Sequence, residues 1–236
     1  MMVSLGSPQM LEFFKDAAGV AGNIFAFGLF VSPIPTFRRI IRNQATEQFS
    51  GLPYIYALLN CLICAWYGTP LVSTANLLVT TVNSMGAIFQ LTYLILFITY
   101  AEKGQKLKML GLLLAVFGLF AIVVVWSLLV TDSAIRHGTI GFLSCASLIS
   151  MFASPLFIIK LVIQTRSVEF MPFYLSLSTF LMSTSFLLYG IFNFDPFIYV
   201  PNGIGTILGV VQLVLFSYYS NNSREDSREA LIESYS

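Results

Sequence analysis

Six long stretches of this chain hold no Asp, Glu, Lys, Arg or His: residues 17–37, 48–101, 109–131, 138–159, 170–194 and 196–223, of 21, 54, 23, 22, 25 and 28 residues. A charge near the middle of a bilayer is costly, and about 20 residues of α-helix cross its ~30 Å hydrocarbon core. Five stretches therefore hold one span each. The 54-residue stretch would be about 80 Å long as a single helix, and Tyr67-Gly68-Thr69-Pro70 supplies turn residues to fold it back, so it holds two. The expectation is an all-α membrane protein with seven spans. Composition agrees: 57% of residues are hydrophobic and 10% charged, against roughly 25% charged in a soluble domain. A net charge of +1 gives no field to hold a polyanion, so no nucleic-acid partner is expected. Three cysteines make no disulfide framework.

Loop cations set the orientation, because Lys and Arg are retained on the cytoplasmic side. With seven spans, one face collects ten cations: Arg38, Arg39, Arg42, Lys103, Lys106, Lys108, Lys160, Arg166, Arg224 and Arg228. The other face has two, Lys15 and Arg136. This predicts an extracytosolic N-terminus and a cytosolic C-terminus. The first span follows Glu12, Lys15 and Asp16 with no small-residue cleavage site, so it reads as retained rather than as a signal peptide. The segment 221–236 is short, charged and Ser-rich, and reads as a disordered tail.

The chain also repeats itself. Ser32-Pro33 matches Ser154-Pro155, Glu47 matches Glu169 and Tyr67-Gly68 matches Tyr189-Gly190, all at an offset of 122. Pro53 matches Pro172, and Asn83-x-x-Gly86 matches Asn202-x-x-Gly205, at 119. Each repeat unit holds three spans. Three crossings reverse the chain, so a linker helix is needed to bring the second copy back to the orientation of the first. The expected organisation is an extracytosolic segment 1–16, a first three-helix repeat 17–101, a linker helix 107–131, a second repeat 138–220 and the tail. Two parallel three-helix bundles around an axis along the membrane normal form a translocation path where they meet.

The segments SPIPTFRRI with TEQFSGLPY, LNCLICAWYG, TVNSMG, ASPLFIIKLV with SVEFMPF, and DPFIYVPNGIG occur in this order between Leu11 and Tyr219. In these the chain resembles the plant SWEET sugar transporters. The resemblance implies a mono- or disaccharide substrate, a lipid-bilayer setting in the plasma or vacuolar membrane, and no enzymatic activity. It is compatible with a homo-oligomer.

A sugar presents hydroxyls that donate and accept, together with apolar C–H faces. An amide offers both hydrogen-bonding functions without a charge. Asn83 and Asn202 occupy equivalent repeat positions and would face each other across the path. A single Asn in a membrane helix is more often interhelical glue, but two equivalent copies favour a site, and the resemblance assigns this pair to sugar binding. Trp66 and Phe186, just before the paired Tyr-Gly motifs, are candidate rings for a sugar's C–H face. By resemblance Phe186 is a pocket wall where other members often carry Trp, Cys64 is a pocket position often Ser elsewhere, and Met151 is a third lining residue. A smaller, less polar wall suits a glucose-like hexose.

Pro53 and Pro172 fit ordinary helix starts, whereas Pro33 and Pro155 fall inside helical runs. The resemblance assigns all four to hinges and an inner gate. At the opposite end, a hydroxyl-to-carboxylate bond between Tyr67 and Asp195 would close the path. Asp195 also suits a helix N-cap followed by Pro196, and the two roles are compatible.

No carboxylate, lysine or histidine falls at mid-membrane depth, so no proton relay or sodium site is expected. Bidirectional, ion-uncoupled transport by alternating access follows. Cys61-x-x-Cys64 lies in a membrane helix and reads as packing, and His137 as a lone loop histidine. Asn221-Asn222-Ser223 matches a glycosylation sequon on the expected cytosolic side, where it would stay unmodified. With no phosphate loop, nucleophile elbow or zinc set, no cofactor or metal is expected. An amino-acid exporter on the same repeat is the first alternative, but a zwitterion would want charged partners near the midplane. A seven-helix receptor is the second, and it has no reason to repeat three helices.

Overall fold

The computed structural model describes residues 8–74 and 76–235, with side chains as far as Ser220. Among them are nine helical segments and no strand: α1 (Pro8–Val31), α2 (Ile34–Asn43), α3 (Leu52–Tyr67), α4 (Leu77–Tyr100), α5 (Lys103–Leu129), α6 (Ser133–Ser150), α7 (Ala153–Thr165), α8 (Phe173–Phe192) and α9 (Pro196–Tyr235). α1 with α2, and α6 with α7, are each one rod broken in two, so nine segments make seven rods. Six are long and apolar enough to cross a membrane, and α3, with 16 residues, is the shorter seventh. This is an all-helical, multi-pass membrane protein.

Pro33 and Pro155 were expected inside continuous runs, yet both runs are interrupted. Pro33 has no N–H for the Leu29 carbonyl, which instead accepts from the Ser32 backbone at 3.3 Å and its hydroxyl at 2.7 Å. Pro155 likewise leaves the Met151 carbonyl without its usual donor. The chain tightens just before it, with Met151 N bonded to Leu148 O at 3.2 Å and Phe152 N to Ile149 O at 3.0 Å. The repeat extends to the backbone beyond: α2 and α7 end on Gln44 and Arg166, 122 residues apart, at left-handed φ of 54° and 52°.

α1 begins at Pro8, well before the charge-free stretch, so Glu12, Lys15 and Asp16 sit on its first turns. α9 is continuous to Tyr235, with no Gly or Pro after Gly209 to stop it. The side chains of 221–236, the segment read as a disordered tail with its sequon, lie outside the described residues.

In each repeat the third rod packs on the other two: α4 against α1 and α3, and α9 against α6 and α8. The linker α5 packs on α3 and α4, both of the first repeat. The repeats meet along two seams, α1 with α8 and α3 with α6. One buried cluster fills the first repeat near its arginine-rich end, around Phe37, Leu58, Tyr93 and Phe97. A second joins both repeats toward the other end, through Ala26, Tyr67, Val82, Phe186 and Tyr189. Leu107, Leu114 and Leu129 of α5 are exposed, as on a surface facing lipid. The end carrying Arg38, Arg39 and Arg42 is called the basic face below.

Candidate functional site

A cavity of about 390 Å³ lies between the repeats, walled from both. Asn83 on α4 and Asn202 on α9 are both in its wall. Each donates one amide hydrogen to the carbonyl four residues back, Asn83 to Val79 at 2.9 Å and Asn202 to Ile198 at 2.8 Å. The two amides are thus fixed in the same way on equivalent helices, and among the described residues no donor engages either Oδ1.

Cys64, Phe186 and Met151 also line the cavity. Cys64 lies on α3, and its Sγ accepts from the Ser144 hydroxyl on α6 at 3.2 Å. Phe186 of α8 packs its ring over Gly22 of α1. Met151 stands at the break between α6 and α7. The thiols Cys61 and Cys64 are free and buried, consistent with packing rather than redox chemistry.

Trp66 is not brought into this wall. Its indole Nε1 donates to the Ser127 hydroxyl of α5 at 3.2 Å, so it anchors the linker. Two residues past Cys64 is about 200° around a helix, which carries Trp66 to the far side of α3. Of the four prolines, only Pro155 reaches the cavity wall. Pro33 is the residue before α2, Pro53 is in the first turn of α3, and Pro172 is the residue before α8.

Tyr67 and Asp195 meet at the end away from the basic face. The Tyr67 hydroxyl donates to Asp195 Oδ2 at 2.5 Å, and both residues are buried. Asp195 Oδ1 accepts from the backbone of Phe197 at 3.0 Å, so the same carboxylate also caps α9.

Asn76, Asn60 and Met182 escaped the sequence reading, and His137 was misplaced by it. Asn76, just before α4, donates to Asp195 Oδ2 at 2.6 Å and accepts from Asn193 at 3.1 Å. Asn76 and Asp195 are 119 residues apart, the offset of the asparagine pair; their side chains differ, so a search for identity passes over them. Asn60, whose Oδ1 accepts from Ser147 at 3.0 Å, lines the cavity as does Met182, its counterpart at an offset of 122. His137 is no loop residue: Asp132 caps α6 by accepting from Ala134 N and Ile135 N, which starts the helix before it. Its Nε2 lies 3.0 Å from the Tyr67 hydroxyl.

A family model described as "sugar efflux transporter for intercellular exchange" matches residues 16–105 and 138–224, so all of α5 but its first three residues lies between the two matched segments. The chain belongs to the SWEET family. It is 67% identical over 226 residues to the bidirectional sugar transporter SWEET2 of Arabidopsis thaliana, covering 95% of this chain and 96% of that protein. It is 61% identical to SWEET2a of Oryza sativa subsp. indica, with 97% and 94% covered. The solved 3.7 Å structure of a eukaryotic SWEET transporter aligns with a TM-score of 0.88 at 55% identity, covering 90% of this chain and 99% of that one. As a SWEET family member the protein is a sugar transporter and not an enzyme.

Proposed function

We propose that this protein is a bidirectional, ion-uncoupled uniporter that moves a monosaccharide, a glucose-like hexose in preference, by alternating access between its two repeats. The carrying observation is the asparagine pair: Asn83 and Asn202, one from each repeat, in the wall of one cavity and held by the same backbone bond. A volume of about 390 Å³ falls among small-molecule sites. Neutral amides in a wall of mostly apolar side chains suit a ligand with hydroxyl edges and C–H faces, the latter against Phe186. The Tyr67–Asp195 bond closes the path at one end, and the breaks before Pro33 and Pro155 give each repeat a hinge toward the other. The ten-to-two division of cations puts the basic face in the cytosol and the N-terminus outside it.

Sugar flux into proteoliposomes tests this. Asn83→Ala and Asn202→Ala should each abolish glucose flux with folded yield near normal, and dissipating a pH gradient should leave wild-type flux unchanged. Full activity in both variants removes the site. Collapse with the pH gradient removes the uncoupled mechanism.

A further inference from the structure

The cavity does not stop at the asparagine pair. Gln90, on α4, is seven residues beyond Asn83 toward the basic face, about 10 Å of helix rise, and its side chain is also part of the wall. Its Oε1 is buried with no hydrogen-bond partner. Only two buried side-chain atoms among the described residues are in this position, the other being Arg136 Nε, outside the cavity. No described protein group hydrogen-bonds to the Gln90 amide nitrogen either.

Burying an amide oxygen without a donor is unfavourable, and such a group usually has a partner that the protein alone does not supply. The last torsion of a glutamine is soft, so a half-turn exchanges oxygen and nitrogen at little cost and either can face the cavity. The repeat does not duplicate the feature. At an offset of 119 the counterpart is Gly209, where a Cβ would lie 2.8 Å from the Phe180 Cβ and no side chain fits. Equal packing in the two repeats therefore does not require a polar group here.

We propose that Gln90 forms a second, one-sided sugar subsite, its amide taking a hydroxyl of the sugar at the basic-face end of the cavity, one step from the Asn83–Asn202 pair. This rests on the sugar-site reading above. A sugar hydroxyl donates and accepts, so it meets the amide in either orientation, whereas an apolar or purely accepting solute does not.

Equilibrium binding of glucose and its monodeoxy analogues to the full chain tests it, with wild type, Gln90→Met and Asn83→Ala compared. Gln90→Met should weaken glucose binding roughly three- to tenfold, the span of one neutral hydrogen bond. At least one monodeoxy sugar should bind Gln90→Met as well as it binds wild type. Because methionine removes the unpaired amide, the sugar-free variant should melt at or above wild type, which a purely structural glutamine would not allow. Gln90→Leu repeats the comparison should methionine pack poorly. Unchanged glucose affinity in Gln90→Met, with every deoxy penalty intact, overturns the subsite while leaving the asparagine site standing if Asn83→Ala is impaired. Absence of glucose binding to wild type, or wild-type binding by Asn83→Ala, overturns the underlying reading and the subsite with it.

Discussion

The two seams between the repeats occupy equivalent positions and are built from opposite chemistry. On the α1–α8 seam, rings lie on bare backbone: a Cβ at Gly22 would be 2.7 Å from the Phe186 ring, and one at Gly19 would be 2.8 Å from the Tyr189 ring. Shifted by 122, Gly22 becomes Ser144, Phe186 becomes Cys64 and Tyr189 becomes Tyr67, and the α3–α6 seam becomes a polar ladder. Its rungs are Tyr56 with Ser150, Asn60 with Ser147 at 3.0 Å, Cys64 with Ser144 at 3.2 Å and Tyr67 with His137 at 3.0 Å. Rings packed on glycine form a close-fitting joint that any added atom disturbs. Neutral hydrogen bonds between membrane helices average only about 0.6 kcal/mol and can be remade with water or sugar. Under the alternating access proposed above, the first seam would be the one to hold and the second the one to part.

The largest effect is expected where the polar seam is locked. Asp195→Ala removes the acceptor of Tyr67, Asn76 and the Phe197 backbone at once. Stability should fall by on the order of 3 kcal/mol, as for hydrogen bonds to a charged group. Labelling of the cavity thiols Cys61 and Cys64 by an impermeant reagent added at the face opposite the basic one should rise. Unaltered labelling would mean that Tyr67 and Asp195 do not close the path. Next, Gly22→Ala and Ser144→Ala install the same residue at equivalent positions. Overpacking Phe186 should cost about 1–3 kcal/mol at position 22, and losing one hydroxyl at position 144 roughly 0.5–1 kcal/mol. Equal shifts in thermal unfolding would erase the contrast between the seams. Ser147→Ala, which removes a single rung, should lower stability by about 0.6 kcal/mol and leave glucose flux intact; loss of flux would show that this rung does more than close the seam.

The fold was legible because lipid excludes charge: gaps between charged residues locate the rods, and Pro33, Pro155, Asn83 and Asn202 are duplicated identically. The hidden features are those where the repeats diverged. Asn76 pairs in space with Asp195, Asn60 is matched by Met182 and Gln90 by Gly209, so only the offset and not the residue type links them. Trp66 was misjudged for another reason: closeness to a motif in sequence is not closeness on a helix face. Its neighbour Tyr67, three residues past Cys64, returns to the cavity side, while Trp66 turns to α5. His137 was discounted because the charge-free stretch begins after it, yet the Asp132 cap starts α6 earlier.

The smallest expected contrast lies outside the membrane, at Glu47 and its counterpart Glu169. Glu47 accepts from Asn43 at 2.5 Å and from Arg39, whose guanidinium nitrogen lies 2.6 Å from Oε2. The Asn43 hydrogen bond, followed by those of Arg39, holds its carboxyl below the usual carboxylate range. At an offset of 122 these partners become Leu161, which has no side-chain donor, and Thr165, whose hydroxyl donates to the Leu161 carbonyl at 2.8 Å. A lowered folded-state pKa means that the stabilisation is complete above the ordinary Glu value and is lost as pH falls through the lowered one. Thermal unfolding of wild type and Glu47→Gln should therefore differ slightly near neutrality and converge in acid, whereas Glu169→Gln, with no such partners to lose, should match wild type near neutrality. The pair is solvent-exposed, so added salt should shrink the Glu47 difference as well. A difference that persists in acid would trace to packing of the Glu47 side chain rather than to its charge.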